Sequence, residues 1–117
     1  MFFSIVRSQD YFTLLVYMAW NPVGEPIVWD FVRNNWPKLV DRFTLNDRYM
    51  GKMIADITKK FSSDRRLQEM NEFFKEYPDA GAGANYRIIA LETVKNNIHF
   101  ISSNGDQISN WLLQHGY

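Results

Sequence analysis

Apolar side chains recur every three or four positions along almost the whole chain, and no segment longer than four residues alternates β-branched with polar residues. A spacing near 3.6 buries one stripe of a helix, whereas a half-buried strand needs a period of two. The sequence therefore predicts an all-α fold. Consecutive helices joined by short connections pack antiparallel. That leaves a compact bundle or a strip of α-solenoid helix pairs of the HEAT or ARM kind, and without an exact repeat the periodicity does not separate them.

The breakers divide the pattern into five or six helices. A first helix over 8–20 or 10–20 carries Phe12, Leu15, Val16 and Ala19 on one face and stops at Asn21-Pro22-Val23-Gly24. Pro26 suits a first helical position, and the next face is Ile27, Val28, Phe31, Val32 and Trp36. Pro37 ends or kinks that helix near Asn35, because the ring removes a donor and clashes with the preceding turn; a short continuation carries Leu39, Val40 and Phe43. Thr44 and Asp47 read as a capping box, with Thr44 as the N-cap. Leu45, Tyr49, Met53, Ile57 and Phe61 follow at a spacing of four. Ser62-Ser63-Asp64 opens a helix that ends at Tyr77-Pro78, and residues 80–84, Ala-Gly-Ala-Gly-Ala, read as a flexible loop. The longest helix is expected over 85–103. Asn104-Gly105 is its stop signal, and Asp106 caps a last helix bearing Ile108, Trp111 and Leu112.

At 117 residues the chain supplies one domain, 1–117, with a single core. Thirteen basic against thirteen acidic residues leave no net charge, which argues against nucleic acid held by phosphate neutralisation and against a polybasic membrane surface. There is no cysteine, hence no disulfide and no thiolate metal site. The apolar start, Phe2 to Val6, is cut short by Arg7, and Phe12 to Trp20 falls well below the roughly 20 residues that span a bilayer. The expectation is a soluble chain with no signal or transmembrane segment.

Catalytic chemistry is missing from the pattern. There is no His-Glu-x-x-His, no phosphate-binding glycine loop and no nucleophile elbow. His99 and His115 stand sixteen residues apart. His99 reads as an ordinary half-buried histidine and His115 as a solvated tail residue. Catalytic residues, metal ligands and cofactor are all expected to be absent from this chain. One residue breaks a local rule: Arg48 lies in the first turn of its helix, at the positive end of the dipole, where a cation is disfavoured. An exposed pairing with Asp47 or Asp41 would explain it, as would an Arg aimed across a cleft at an anionic group. Nine Phe, six Tyr and four Trp are many for this length. They read either as a dense aromatic core or as a face that packs on something outside the chain.

Several longer strings are more specific. They are Arg7-Ser8-Gln9-Asp10-Tyr11-Phe12, Trp20-Asn21-Pro22-Val23-Gly24, Val28-Trp29-Asp30-Phe31-Val32 with Asn35-Trp36, Thr44-Leu45-Asn46-Asp47-Arg48, Tyr77-Pro78-Asp79-Ala80-Gly81-Ala82-Gly83, and Leu91-Glu92-Thr93-Val94-Lys95-Asn96-Asn97-Ile98. From Arg7 to Trp111 the chain resembles the C-terminal end of the M1 family of zinc aminopeptidases, within the branch of glutamyl aminopeptidase and aminopeptidase N. The resemblance implies the last segment of a HEAT-like superhelical domain that encloses a peptide cavity over a catalytic domain and supports dimerisation. The zinc and the Gly-x-Met-Glu-Asn exopeptidase motif would belong to that other domain, and the peptide substrate would lie between the two. It also implies that Arg48, in Leu-Asn-x-Arg, reaches toward the active site as a substrate-binding residue. The family's close relatives are membrane-anchored ectodomains; an extracellular or secreted parent is implied, with this chain a truncation or a short gene product. The other function class that fits is a free-standing helical protein-interaction module. On either reading an apolar face around Phe2, Phe3, Tyr11 and Phe12 is expected to drive self-association, with a homodimer as one result.

Overall fold

The structure, a computed structural model, describes residues 7–116. Among them are six α-helices, one 3-10 turn and no strand, so the chain is all-α. The helices are α1 (Ser8–Ala19), α2 (Gly24–Asn34), α3 (Trp36–Phe43), α4 (Arg48–Thr58), α5 (Asp64–Glu76) and α6 (Ala84–Gln114), with the 3-10 turn Gly81–Gly83 between α5 and α6. Phe2 and Phe3 lie outside the described residues.

The breakers act largely as their chemistry requires. The side chain of Asn21 accepts a hydrogen bond from the Val23 amide at 2.9 Å in the α1–α2 turn. Gly24 starts α2 two residues ahead of Pro26, in a place where a Cβ would stand 2.1 Å from the Met18 carbonyl oxygen. Pro37 occupies the first turn of α3, so α2 and α3 meet at Asn35 instead of forming one helix. Ser63 caps α5 by accepting from the Arg66 amide at 3.2 Å.

α4 is the central element, packed against α1, α2, α6 and the 3-10 turn, while α5 lies on α6. It buries Met50, Gly51, Met53, Ile54, Ile57 and Thr58, and the Thr58 hydroxyl is satisfied by the Ile54 carbonyl at 2.7 Å. Trp29, fully buried, sets its ring edge-on to Phe61 and Phe73 at 5.4 and 5.8 Å between centroids. Burying each such side chain contributes about 1.5–3 kcal/mol. Packing of this kind, more than intrinsic propensity, holds helices this short.

Three expectations need correction. Residues 80–84 are not a flexible loop: they form the ordered 3-10 turn and the entry to α6. Asn104-Gly105 does not end the long helix, nor does Asp106 begin another, because α6 runs unbroken for 31 residues. A helix-interior Gly costs about 0.5–1 kcal/mol and does not by itself stop a helix, and Asn104 turns its amide back onto the Phe100 carbonyl at 2.9 Å. His99 is exposed and not half-buried, since α6 has left the core at that point. The aromatic residues serve both expected ends: Phe12, Trp29, Trp36, Phe61 and Phe73 are core, whereas Tyr17, Trp20, Phe100 and Trp111 are exposed.

Candidate functional site

The start of α4 departs from the expected capping box. Thr44 sits at the end of α3 with φ 71° and ψ 152°, and it makes no side-chain cap to α4. Asp47 is the N-cap: one oxygen, Oδ1, accepts from the amides of Tyr49 at 2.9 Å and Met50 at 3.1 Å. Arg48 is thereby the first residue of α4.

Arg48 is exposed. Its guanidinium donates to the Tyr49 hydroxyl at 3.3 Å and lies 5.2 Å from the centre of that ring. The Tyr49 hydroxyl holds the guanidinium above its ordinary pKa, with Tyr86 and Asp47 adding smaller effects. Among the described residues Arg48 makes no ion pair, neither with Asp47 nor with Asp41. Asp47 is engaged by the backbone it caps. A cation at a helix N-terminus is disfavoured by the helix dipole, and here no ion pair among the described residues offsets that. Tyr49 also lines a groove of about 400 Å³ between α1 and α4, together with Phe12, Tyr17, Trp20, Lys52 and Asp56.

Sequence reading overlooked Arg87, the one charged side chain among the described residues that is buried, at 8% exposed. Its Nη1 donates to the Tyr77 carbonyl at the end of α5. Its Cζ lies 4.8 Å from the Phe74 ring centre, with Phe73 and Trp36 at 5.8 and 5.9 Å. Burial pushes its pKa down, and Asp79 opposes the shift. The only signal for it was position: Arg87 follows the glycine turn by one helical turn, facing the aromatic end of α5. Asn97, inside the Glu-Thr-Val-Lys-Asn-Asn-Ile string, was missed as well. Its amide donates to the Lys59 and Phe61 carbonyls, both at 2.9 Å, and ties the α4–α5 connection to α6.

The residues present do not fit zinc. His99 and His115 are both exposed on or just beyond α6, and sixteen helical positions separate them by about 24 Å. His115 stacks on Trp111 at 4.0 Å. No group of three His, Cys, Asp or Glu among the described residues could hold an ion, and no helix among them is long and apolar enough to cross a membrane.

Comparison with known proteins gives this geometry a context. The model of the ERAP1-like C-terminal domain family matches residues 1–96. The chain is 46% identical over 109 residues to an aminopeptidase A of Gloydius brevicauda and 38% identical to a glutamyl aminopeptidase of Homo sapiens, covering 93% of the chain and 11% of each relative. It is 34% identical to an endoplasmic reticulum aminopeptidase 1 of Mus musculus, over 93% of the chain and 12% of that protein. The chain thus spans about a ninth of the length of the curated relatives it matches.

Proposed function

Because the chain belongs to the ERAP1-like C-terminal domain family, we propose that it is the last segment of the helical domain of a zinc aminopeptidase, non-catalytic itself, enclosing a peptide cavity over a catalytic domain. In that arrangement the helices form HEAT-like pairs of a superhelix. Arg48 projects from the first turn of α4 toward the active site and takes an acidic group of the peptide. The observation that carries this reading is the unshared guanidinium of Arg48 on a capped helix start, with only the neutral Tyr49 hydroxyl for a partner. The family adds support, since glutamyl aminopeptidases are among the relatives, and a cation is what a glutamyl side chain requires. Zinc would belong to the catalytic domain, and the parent would work outside the cell, anchored or secreted.

The test is Arg48→Ala in the full-length aminopeptidase that contains this chain. The expected result is a raised KM for a substrate with an N-terminal glutamyl residue and an unchanged KM for a neutral one, the pattern of a lost binding contact. Equal behaviour of the two substrates would overturn the role of Arg48.

A second reading rests on a separate observation. Leu14 and Tyr17 on α1, Val23 in the turn and Ile27 on α2 are more than half exposed, apolar surface of the kind that meets a protein partner. A free-standing interaction module, or a homodimer of the parent, would use this face and not the one expected around Phe12, whose ring is buried against Tyr11 and Phe43. Concentration-dependent light scattering of the isolated chain tests it, and a monodisperse monomer at high concentration would count against it.

A further inference from the structure

Two strings that are far apart in sequence, Thr44 to Arg48 and Tyr77 to Gly83, meet at the start of α4. The Ala82 amide donates to the Leu45 carbonyl at 3.1 Å. Gly81, at φ 53°, lies against the same residue: a Cβ there would stand 2.5 Å from the Leu45 carbonyl oxygen and 2.8 Å from its Cβ. One turn into α4 the backbones of Gly51 and Gly83 touch. A Cβ on Gly51 would stand 2.7 Å from the Gly83 Cα, and one on Gly83 would stand 3.0 Å from the Gly51 Cα. Such an approach forces a backbone shift if Gly51 gains a Cβ and a smaller one if Gly83 does. Leu45 and Gly51 are three residues before and three after Arg48, so the turn grips the chain on both sides of it.

The backbone at Thr44 carries the corresponding strain. Its φ of 71° with ψ of 152° belongs to a region that is essentially glycine's, and a residue held there persists only where its surroundings over-determine it. Beneath the turn, Arg87 binds the Tyr77 carbonyl and packs on Phe74, fixing the end of α5 from which the turn departs.

We propose that the Gly81–Gly83 turn is a positioning clamp for Arg48, with Gly51, Gly81 and Gly83 as positioning residues that set where the first turn of α4 presents its guanidinium. This rests on the reading of Arg48 as a substrate-binding residue. The glycines themselves touch no substrate. Their contribution is that Arg48 starts from a fixed backbone, and a guanidinium displaced by about 1 Å from a bound carboxylate loses much of a bidentate contact.

The experiment compares Gly51→Ala, Arg48→Ala and the double variant in the full-length aminopeptidase, with N-terminal glutamyl and neutral substrates. For Gly51→Ala, KM for the glutamyl substrate should rise about tenfold with kcat within about twofold, and the neutral substrate should be unaffected. In the double variant, Gly51→Ala should add nothing to Arg48→Ala, because both act through one side chain. Should Gly51→Ala fail to fold, Gly83→Ala, whose Cβ is less crowded, takes its place with the same expectation. If Arg48→Ala raises the glutamyl KM and the glycine variants do not, the clamp is wrong and Arg48 stands. The clamp is equally overturned if the glycine variants weaken both substrates alike, or if the effects multiply in the double variant. If Arg48→Ala changes nothing, the reading of Arg48 falls and the clamp with it.

Discussion

The indole N–H of Trp29 donates to Oε1 of Glu69 at 3.2 Å, across 40 positions of sequence. Trp29 is fully buried, and a buried indole donor without a partner would cost about 1–3 kcal/mol. Glu69 also takes Arg66 at 3.0 Å on the same oxygen and Arg33 at 3.7 Å on the other, so one carboxylate joins α2 to α5. Glu69→Ala should lower stability by about 1–3 kcal/mol, measured by urea denaturation. Glu69→Gln keeps an acceptor for the indole and should lose less. Equal losses in the two variants would assign the effect to charge and not to Trp29.

Alkali should destabilise the chain in a defined direction. Burial raises the pKa of Tyr11 above its ordinary value of 10.0, and its ring packs on Phe12 and Phe43 at 5.3 and 5.1 Å. A raised phenol means that the folded state holds its proton longer than the unfolded state does. The associated stability is fully present below pH of about 10 and is lost as pH climbs from there through the folded-state value. Tyr77 is raised as well, by burial and by Glu76, so tyrosinate absorbance followed against pH should show late-ionising tyrosines of which Tyr11→Phe removes one. If Tyr11→Phe leaves the titration curve unchanged, this assignment fails.

How much of this could be read from the residues depends on the range of the interaction. The helices α1, α3 and α5 were legible because Phe12, Leu39 and Met70 recur in faces set by local spacing, and Pro37 acts within one turn. The resemblance to zinc aminopeptidases was legible for a different reason: it rests on contiguous strings such as Tyr77 to Gly83 and needs no contact between distant residues. What escaped was non-local. Residues 80–84 look like a flexible linker in isolation, and only the approach of Gly51 and Leu45 orders them. Arg87 was not singled out, because nothing local marks it, and the rings of Trp36 and Phe73 that it packs against lie far from it in sequence. At Gly105 the local stop signal was taken for the end of the helix, whereas the helical residues on both sides outweigh it and leave the glycine as a weak point inside α6.

That weak point gives a prediction. From Asp106 on, α6 is exposed, and Gly105 has nothing within 4 Å of where a Cβ would go. Gly105→Ala should therefore meet no clash and favour the helix by about 0.5–1 kcal/mol. Circular dichroism should show increased helix content, with the urea midpoint of the core unchanged, because residues beyond 105 contribute no buried side chain. Amide exchange at Ile108 and Leu112 should slow. A fall in helix content would mean that α6 breaks at Gly105 in solution.

The start of α4 separates the two capping assignments by mutation. If Asp47 is the cap, as its bonds to the Tyr49 and Met50 amides require, Asp47→Ala should cost about 1 kcal/mol and Asp47→Asn much less, since the amide oxygen still accepts. Thr44→Ala should remove no cap. Thr44→Gly should go further and stabilise the chain by about 1 kcal/mol, because glycine occupies φ 71° and ψ 152° without the strain a β-branched residue suffers there. Arg48→Ala should leave the denaturation midpoint where it is, as the side chain is exposed and bonded only to its neighbour Tyr49. All five are read from urea denaturation of the isolated chain. A loss at Thr44→Ala with none at Asp47→Ala would restore the capping box and move the true start of α4 back toward Leu45.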